Sequence, residues 1–473
     1  MSKQPHIIYI LSDEHYAGAM SHRGDPNIKT PFMDQMAEEG VAFNNAFSNC
    51  PVCTPARGII FSGRHAHCGA VQNFFDVYKA SAPSMATILK DAGYHTAYFG
   101  KWHCGVVLDQ LPSAFWCDTE DHFNKYAWRT PEYHRGGFED WYAFEANDKQ
   151  FKGWYWDQHD REPKKMTEFQ TDWLTRLATD YINDYDGDKP LFLVLSIEPP
   201  HFPLDPPEEN KRWNPDDLIV RENFVEKDDA RERLANYYGL IENLDTNLGK
   251  FMNVLKANER FGDNTLSIYF SDHGEFMGSH GLWELKSHPN EESVRIPAIF
   301  HWPEELAPQK PREELFSLVD LMPTILGAAG VAIPNYCQGM DFSPALRGEA
   351  FEGPEEVFLE MHGGPRWNLD FLDWRGYRTD TWKYSYYETG HELMFNLEED
   401  PYELNDLSKA DPERCQAMKE RLLEILDETE DNYYKIIIEH GVPCASPTFN
   451  ISALTSGISP AWQDTIVQLP DPP

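Results

Sequence analysis

The chain is punctuated by short apolar runs at residues 7–11, 96–99, 191–197, 266–270 and 298–301. Each is four to seven residues long, the length of a buried strand rather than a helix. Between them lie stretches with apolar residues at three- and four-residue intervals, at 31–39, 84–92, 166–185 and 230–259. That spacing predicts amphipathic helices. Strands alternating with helices predict an α/β fold with a mostly parallel sheet flanked by helices. Residues 374–395 are aromatic and alternate, which predicts strands. They lead into a helix with Asp411 as its N-cap and Gly441 as its stop. Leu422, Leu423, Ile425, Leu426 and Tyr433 would form its apolar face. The pattern divides the chain into a large domain at 1–354 and a smaller C-terminal α+β domain at 355–473. The Ser-, Pro- and Gly-rich tail after Pro443 would wrap the surface or a neighbouring subunit of a homo-oligomer.

Polar residues follow the apolar runs. Ser12, Asp13, Glu14 and His15 follow the first, and Gly100, Lys101, Trp102 and His103 the second. Glu198, Pro199, Pro200 and His201 follow the third, and Ser271, Asp272, His273, Gly274 and Glu275 the fourth. In an open α/β sheet, sites form outside the carboxyl ends of the strands. Taken singly, each group has an ordinary reading: a helix cap, a satisfied core histidine or a solvated lysine. Four such endings on parallel strands would converge on one edge. Asp13, Glu14 and Asp272 are hard oxygen donors suited to calcium or magnesium. His273 is softer, and could ligate a metal such as manganese or donate beside it. Lys101, His103 and His201 could hold oxyanions or move protons.

Charge narrows the partners. The 473 residues carry a net charge of −37, from 41 basic and 78 acidic side chains. Such a surface repels nucleic acid and anionic membranes. An anionic small molecule would need a local cluster of cations. With 41% hydrophobic and 14% aromatic residues, the chain can build a sizeable core. No run approaches the roughly 20 apolar residues of a membrane span. No signal-like segment opens the chain, so the cytoplasm is the expected compartment. The eight cysteines are scattered, which argues against a disulfide framework. Cys50 and Cys53 form a lone C-x-x-C, open on spacing alone to a thioredoxin-like redox reading.

The stretch from Cys50 to Arg64 carries the strongest motif. Cys53, Pro55 and Arg57 fit C-x-P-x-R, followed by Ser62-Gly63. It resembles the signature of formylglycine-dependent sulfatases. Gly100-Lys101-Trp102-His103, Pro199-Pro200-His201-Phe202-Pro203, Ser271-Asp272-His273-Gly274-Glu275 and Gly281-Leu282-Trp283 are similar to further motifs of that family. So are Glu291-Glu292-Ser293 and Leu393-Met394-Phe395-Asn396-Leu397.

The resemblance implies an alkaline phosphatase-like fold and a sulfuric ester hydrolase. A formylglycine-generating enzyme would oxidise Cys53 to an aldehyde, whose hydrate attacks sulfur. Asp13, Glu14, Asp272 and His273, with position 53, would hold a divalent cation, usually Ca2+, with Mn2+ or Mg2+ as alternatives. Arg57 would orient the diol. Lys101 and Lys286 would bind sulfate oxygens. His103 would act as base, and His201 with Lys286 would assist the leaving group. The substrate would be a small-molecule or carbohydrate sulfate ester.

There are departures from the family pattern. Glu14 stands where Asp is common, His273 where some members have Asn, and Asn290 where Tyr is usual. One extra residue separates Trp283 from Lys286, while Lys286 keeps its spacing to Glu291. The rival readings are a phosphonate monoester or phosphodiester hydrolase with the same nucleophile, and a non-catalytic calcium-dependent binding protein. The many aromatics of residues 105–165 read mainly as packing, with one or two rings facing substrate. His15, Tyr16, Asn73, His134 and His288 are further candidates for lining the pocket.

Overall fold

A computed structural model describes residues 4–74, 76–105, 129–147, 149–159, 162–283, 286–362 and 373–441. Phe115, Trp116, Phe123, Tyr126, Trp128 and the tail after Pro443 lie outside the described residues. Ten strands form one sheet in the order β10 (Arg312–Ser317), β2 (Val41–Phe47), β9 (Ala298–His301), β8 (Thr265–Ser271), β1 (His6–Asp13), β7 (Leu191–Pro200), β3 (His95–Lys101), β4 (Asp140–Phe144), β5 (Trp154–Asp157) and β6 (Lys164–Lys165). From β8 through β1, β7 and β3 to β4 every pairing is parallel. β9 runs against both of its neighbours, and β5 and β6 close an antiparallel edge.

The centre of this sheet is covered on both faces, which is why its strands read as unbroken apolar runs. Ile7, Tyr9 and Leu11 of β1 face one core, and Ile8 and Ile10 the other. The first core is closed by α2 (Cys53–Ser62), α3 (Met85–Asp91) and α7 (Leu318–Ala328). The second is closed by α1 (Pro31–Glu39), α4 (Gln170–Asp184) and α5 (Ala230–Ala257). Single turns α6 (Glu291–Val294) and α8 (Ser343–Leu346) complete this part. Helix α4 starts at Gln170, later than its sequence pattern. Met166 donates its N–H to the Gly153 carbonyl (2.8 Å), prolonging the β5–β6 ladder and holding the chain extended.

The C-terminal part is an antiparallel meander of β11 (Glu356–Met361), β12 (Trp374–Thr379), β13 (Trp382–Tyr387) and β14 (Glu392–Asn396). Val357, Leu359, Leu393 and Phe395 join the core that holds α2. Phe358, Tyr384 and Met394 pack against α9 (Pro412–Glu428) and α10 (Asn432–His440). The expected single helix is therefore two. Asp411 does cap the first, accepting from the Arg414 amide at 3.1 Å. The chain then turns through Glu430 (φ 65°), and Asp431 caps a second helix by accepting from the Tyr434 amide. The break re-aims the face: Tyr434 is fully buried, while Tyr433 is 66% exposed. The described aromatics of the 105–165 region mostly pack. Trp141, Phe144 and Tyr155 are buried, and Trp141 stacks on Tyr98.

Candidate active site

Helix α2 is short and wholly buried, and its sequence explains both ends. Val52 is extended ahead of it, and Pro55 sits in the first turn, where a missing N–H leaves no gap in the ladder. Gly63 ends it at φ 64°, donating its amide to the Ile59 carbonyl, a backbone that other L-residues adopt only at a cost. Cys53 therefore stands at the positive end of the helix dipole. Arg57, four residues on, shares its face.

Arg57 ties the strand ends together. Its Nε donates to Asp272 Oδ2 (3.0 Å) and Nη2 to Asp13 Oδ2 (3.2 Å). Its Nη1 donates to the Lys101 carbonyl (2.7 Å) and the Ser196 hydroxyl (2.9 Å). One side chain thus contacts the carboxyl edges of β1, β3, β7 and β8. Gly100 makes the close approach of β3 possible: at φ 95°, any Cβ there would strike the Ser196 carbonyl.

Cys53 points into this junction. Its Sγ lies 3.2 Å from His273 Nε2 and 3.5 Å from Asp13 Oδ1. The His273 ring faces its Nδ1 to the Gly274 carbonyl at 2.9 Å, which makes Nδ1 the donor and leaves the Nε2 lone pair toward the acids. Ligand atoms of Asp13, Cys53, Asp272 and His273 lie within 4.8 Å of one another, all buried. Two carboxylates and an imidazole lone pair converge as the donors of a divalent cation would, with the position-53 atom beside them. Glu14 stands apart from that foursome. Its backbone is left-handed (φ 69°), and it groups instead with Asp13 and His201. Its carboxylate lies 3.3 Å from Lys286 Nζ and 3.5 Å from His201 Nε2.

Electrostatics follow from this crowding. Burial pushes the Asp13 pKa up, but Lys101, His201, Arg57 and His273 together hold it well below the usual range. Burial likewise opposes ionisation of Glu14, and Lys286 and His201 bring its pKa down to about 2. Burial would lower Lys101, yet Asp13 and Glu198 hold it well above its ordinary value. His103, on a left-handed backbone (φ 58°), has its pKa driven down by burial and by Lys101 and Arg57. It is a neutral imidazole, edge-on to Phe74. Burial, then Asp13, raises the Cys53 thiol.

The structure therefore brings together Cys53, Arg57, Lys101, Asp13, Asp272 and His273, with Glu14, His201 and Lys286 alongside. Ser196 and Glu198 join them at the end of β7, although the sequence assigned neither a role. Glu198 was visible as the first polar residue after an apolar run. Ser196 lies within that run, and only its alignment with Gly100 across the sheet reveals it. The other pocket candidates have packing partners. His15 bonds the Tyr269 hydroxyl at 2.6 Å, Tyr16 lies under Arg221, and the Asn73 amide donates to Asp76. His134 donates to the Tyr78 carbonyl, and His288 packs on Phe276. The described cysteines form no disulfide.

A second group, His67, Glu360 and His362, also has metal-like spacing. It reads as an ion-pair network, because a cation is already there. Arg375 Nη2 is 3.1 Å from His362 Nε2, and Glu360 lies 2.9 Å from His67.

Residues 5–331 match the Sulfatase family model, and residues 278–432 match the C-terminal model of N-sulphoglucosamine sulphohydrolase. An ulvan-active sulfatase of Formosa agariphila is 32% identical, over 91% of this chain and 83% of its own length. An endo-4-O-sulfatase of Bacteroides thetaiotaomicron is 27% identical, over 92% of this chain and 94% of its own. A solved structure from Bacteroides thetaiotaomicron, from work on its metabolism of multiple glycosaminoglycans, superposes with a TM-score of 0.81 at 26% identity, covering 92% and 99% of the two chains. This chain belongs to the sulfatase family, enzymes that hydrolyse sulfate esters.

Proposed function

We propose that this sulfatase acts through a formylglycine made from Cys53 and hydrolyses a sulfated carbohydrate. The observation that carries the reading is the position of Cys53. It lies at a helix N-terminus, within 3.5 Å of Asp13 and 3.2 Å of His273, beside buried Arg57 and Lys101. The Sγ atom stands in for the formylglycine oxygens. Asp13, Asp272 and His273 would hold a divalent cation, with Glu14 nearby. Its oxygen-rich donors favour calcium, with magnesium or manganese as alternatives. When bound, such an ion supplies charge screening to the sulfuryl oxygens and acidifies the attacking hydroxyl.

The chain's own groups do the rest. Arg57 is fixed by four partner atoms and orients position 53. Lys101 and Lys286 donate to sulfate oxygens, each such preorganised donor being worth roughly 3–4 kcal/mol in the transition state. His201 and Lys286 face the leaving group. Neutral His103 takes the proton whose loss lets sulfate depart. The relatives named for ulvan and for endo-4-O action support a carbohydrate substrate.

The test is mass spectrometry of the Cys53 peptide with parallel kinetics. The converted peptide is expected about 18 Da lighter than the thiol form. Cys53→Ala is expected to lower turnover by at least about 10⁴-fold with unchanged thermal unfolding. Retained turnover in Cys53→Ala, or faster cleavage of an aryl phosphonate than of an aryl sulfate, would overturn the proposal.

A further inference from the structure

Lys101 stands between two carboxylates. Its Nζ is 2.7 Å from Asp13 Oδ2 and 3.2 Å from Glu198 Oε1. The two acids keep different company. Asp13 also meets Arg57, His273 and Cys53, and it belongs to the candidate cation site. Glu198 forms no other ion pair among the described residues. Its remaining partners are neutral. The Asn147 amide donates to Oε1 at 3.0 Å, Gln170 Nε2 donates to Oε2 at 2.8 Å, and the Glu198 amide donates to Gln170 Oε1 at 3.1 Å. The side chain is fully buried.

The neutral donors take one carboxylate oxygen each, and neither brings a charge to match it. A carboxylate buried there has Lys101 as its one charged partner among the described residues. Glu198 also has the right place in the strand. It lies two residues beyond Ser196 at the carboxyl end of β7, where the pairing with β1 shifts register, and Ser196 holds Arg57. Two residues at the end of one strand thus brace two cations of the site.

We infer that Glu198 is a positioning residue, which holds the Lys101 ammonium at the sulfate-binding edge independently of Asp13. The inference rests on the proposed role of Lys101 toward sulfate oxygens. Without the Glu198 charge, Lys101 retains one acid and is drawn to Asp13. Its donors then leave the substrate and compete for an oxygen of the cation site.

The test compares wild type, Glu198→Gln, and the exchange Glu198→Gln with Gln170→Glu. The exchange keeps an acid–amide hydrogen-bonded pair but moves the charge away from Lys101. Each protein is loaded with calcium, and its Cys53 conversion is measured by mass. Readouts are kcat and KM on an aryl sulfate, the inhibition constant of inorganic sulfate, and the thermal midpoint. Glu198→Gln is expected to lower kcat/KM by about 10- to 100-fold, the range for a displaced catalytic group, and to weaken sulfate inhibition in parallel. The exchange is expected to keep the midpoint and to remain as slow. Recovery by the exchange to within about twofold of wild type would make the role structural and overturn the inference. If Glu198→Gln does not fold, Glu198→Asp carries the test, because it keeps the charge and withdraws it by one methylene. Wild-type kcat/KM in that variant also overturns the inference. A wild-type protein that cleaves no sulfate ester and ignores inorganic sulfate overturns the functional proposal, and this inference with it.

Discussion

Glu145, just past β4, is buried among neutral groups. It accepts from the Thr130 hydroxyl and from the Gly105 amide at 3.0 Å, bracing the loop that carries His103. Burial lifts its pKa from 4.5 to about 7. The folded protein therefore keeps a proton that the unfolded chain loses, and its stability declines as pH rises from about 4.5 to about 7. The full loss is about 3 kcal/mol at roughly 1.4 kcal/mol per unit, and it is complete above pH 7. Glu145→Gln keeps an acceptor for the Gly105 amide and cannot ionise. Its denaturation midpoint is expected to exceed wild type at pH 8 and to lose that advantage at pH 5. An identical pH profile in the variant would refute the assignment. Nothing in the sequence marks Glu145, because its partners lie 15 and 40 residues away. Cys53 and Arg57 were legible because their relation is local, one helical turn. Asp13 and Glu14 read as a pair, and their carboxylates do stay close, but Glu14, on a left-handed backbone, falls outside the foursome of Asp13, Cys53, Asp272 and His273, and no residue pattern announces that turn.

Among the elements, the α9–α10 junction depends on Asp431. Its carboxylate caps α10 and meets Arg375 Nε at 2.6 Å in a buried pair. Removing one partner of such a pair typically costs about 3–5 kcal/mol, and losing a cap costs about 1 kcal/mol. Asp431→Ala is thus expected to destabilise by at least about 3 kcal/mol in urea denaturation. Asp431→Asn, which retains a capping oxygen, should lose less. Equal losses would mean that the cap contributes little and that the charge pair with Arg375 carries the whole effect. The sequence located this region's helical pattern but missed the break, since helix-compatible residues continue through Thr429 and Glu430. The strands were easier. Each buried run near the sheet centre was visible from its unbroken apolar character. The reversal of β9 was invisible, because direction in a sheet is set by connections and neighbours rather than by side-chain pattern.

For the whole molecule, the alternation of strands and helices sufficed for the α/β class, and the polar strand ends for the edge that carries the site. What covers the second sheet was not legible. The apolar run Val357-Phe358-Leu359 in β11 says that both faces bury side chains, not that one of them joins the core beneath α2. Net charge adds a consequence that no single contact carries. A field of 37 net negative charges surrounds a site holding Arg57, Lys101 and Lys286. The Debye length falls from about 30 Å at 0.01 M salt to about 8 Å at 0.15 M. The diffuse negative surface is therefore screened first, while buried cations within contact distance of the substrate are screened least. For an anionic sulfate ester, kcat/KM is expected to rise several-fold across that salt range, toward the low end of the roughly 10- to 10³-fold effects of protein fields on association. Turnover at saturating substrate should stay constant, because the chemical step occurs inside the screened-off site. Kinetics at fixed calcium and pH, with only monovalent salt varied, measure this directly. A steady fall in kcat/KM would show that the local cations, not the surrounding acidic surface, govern the encounter.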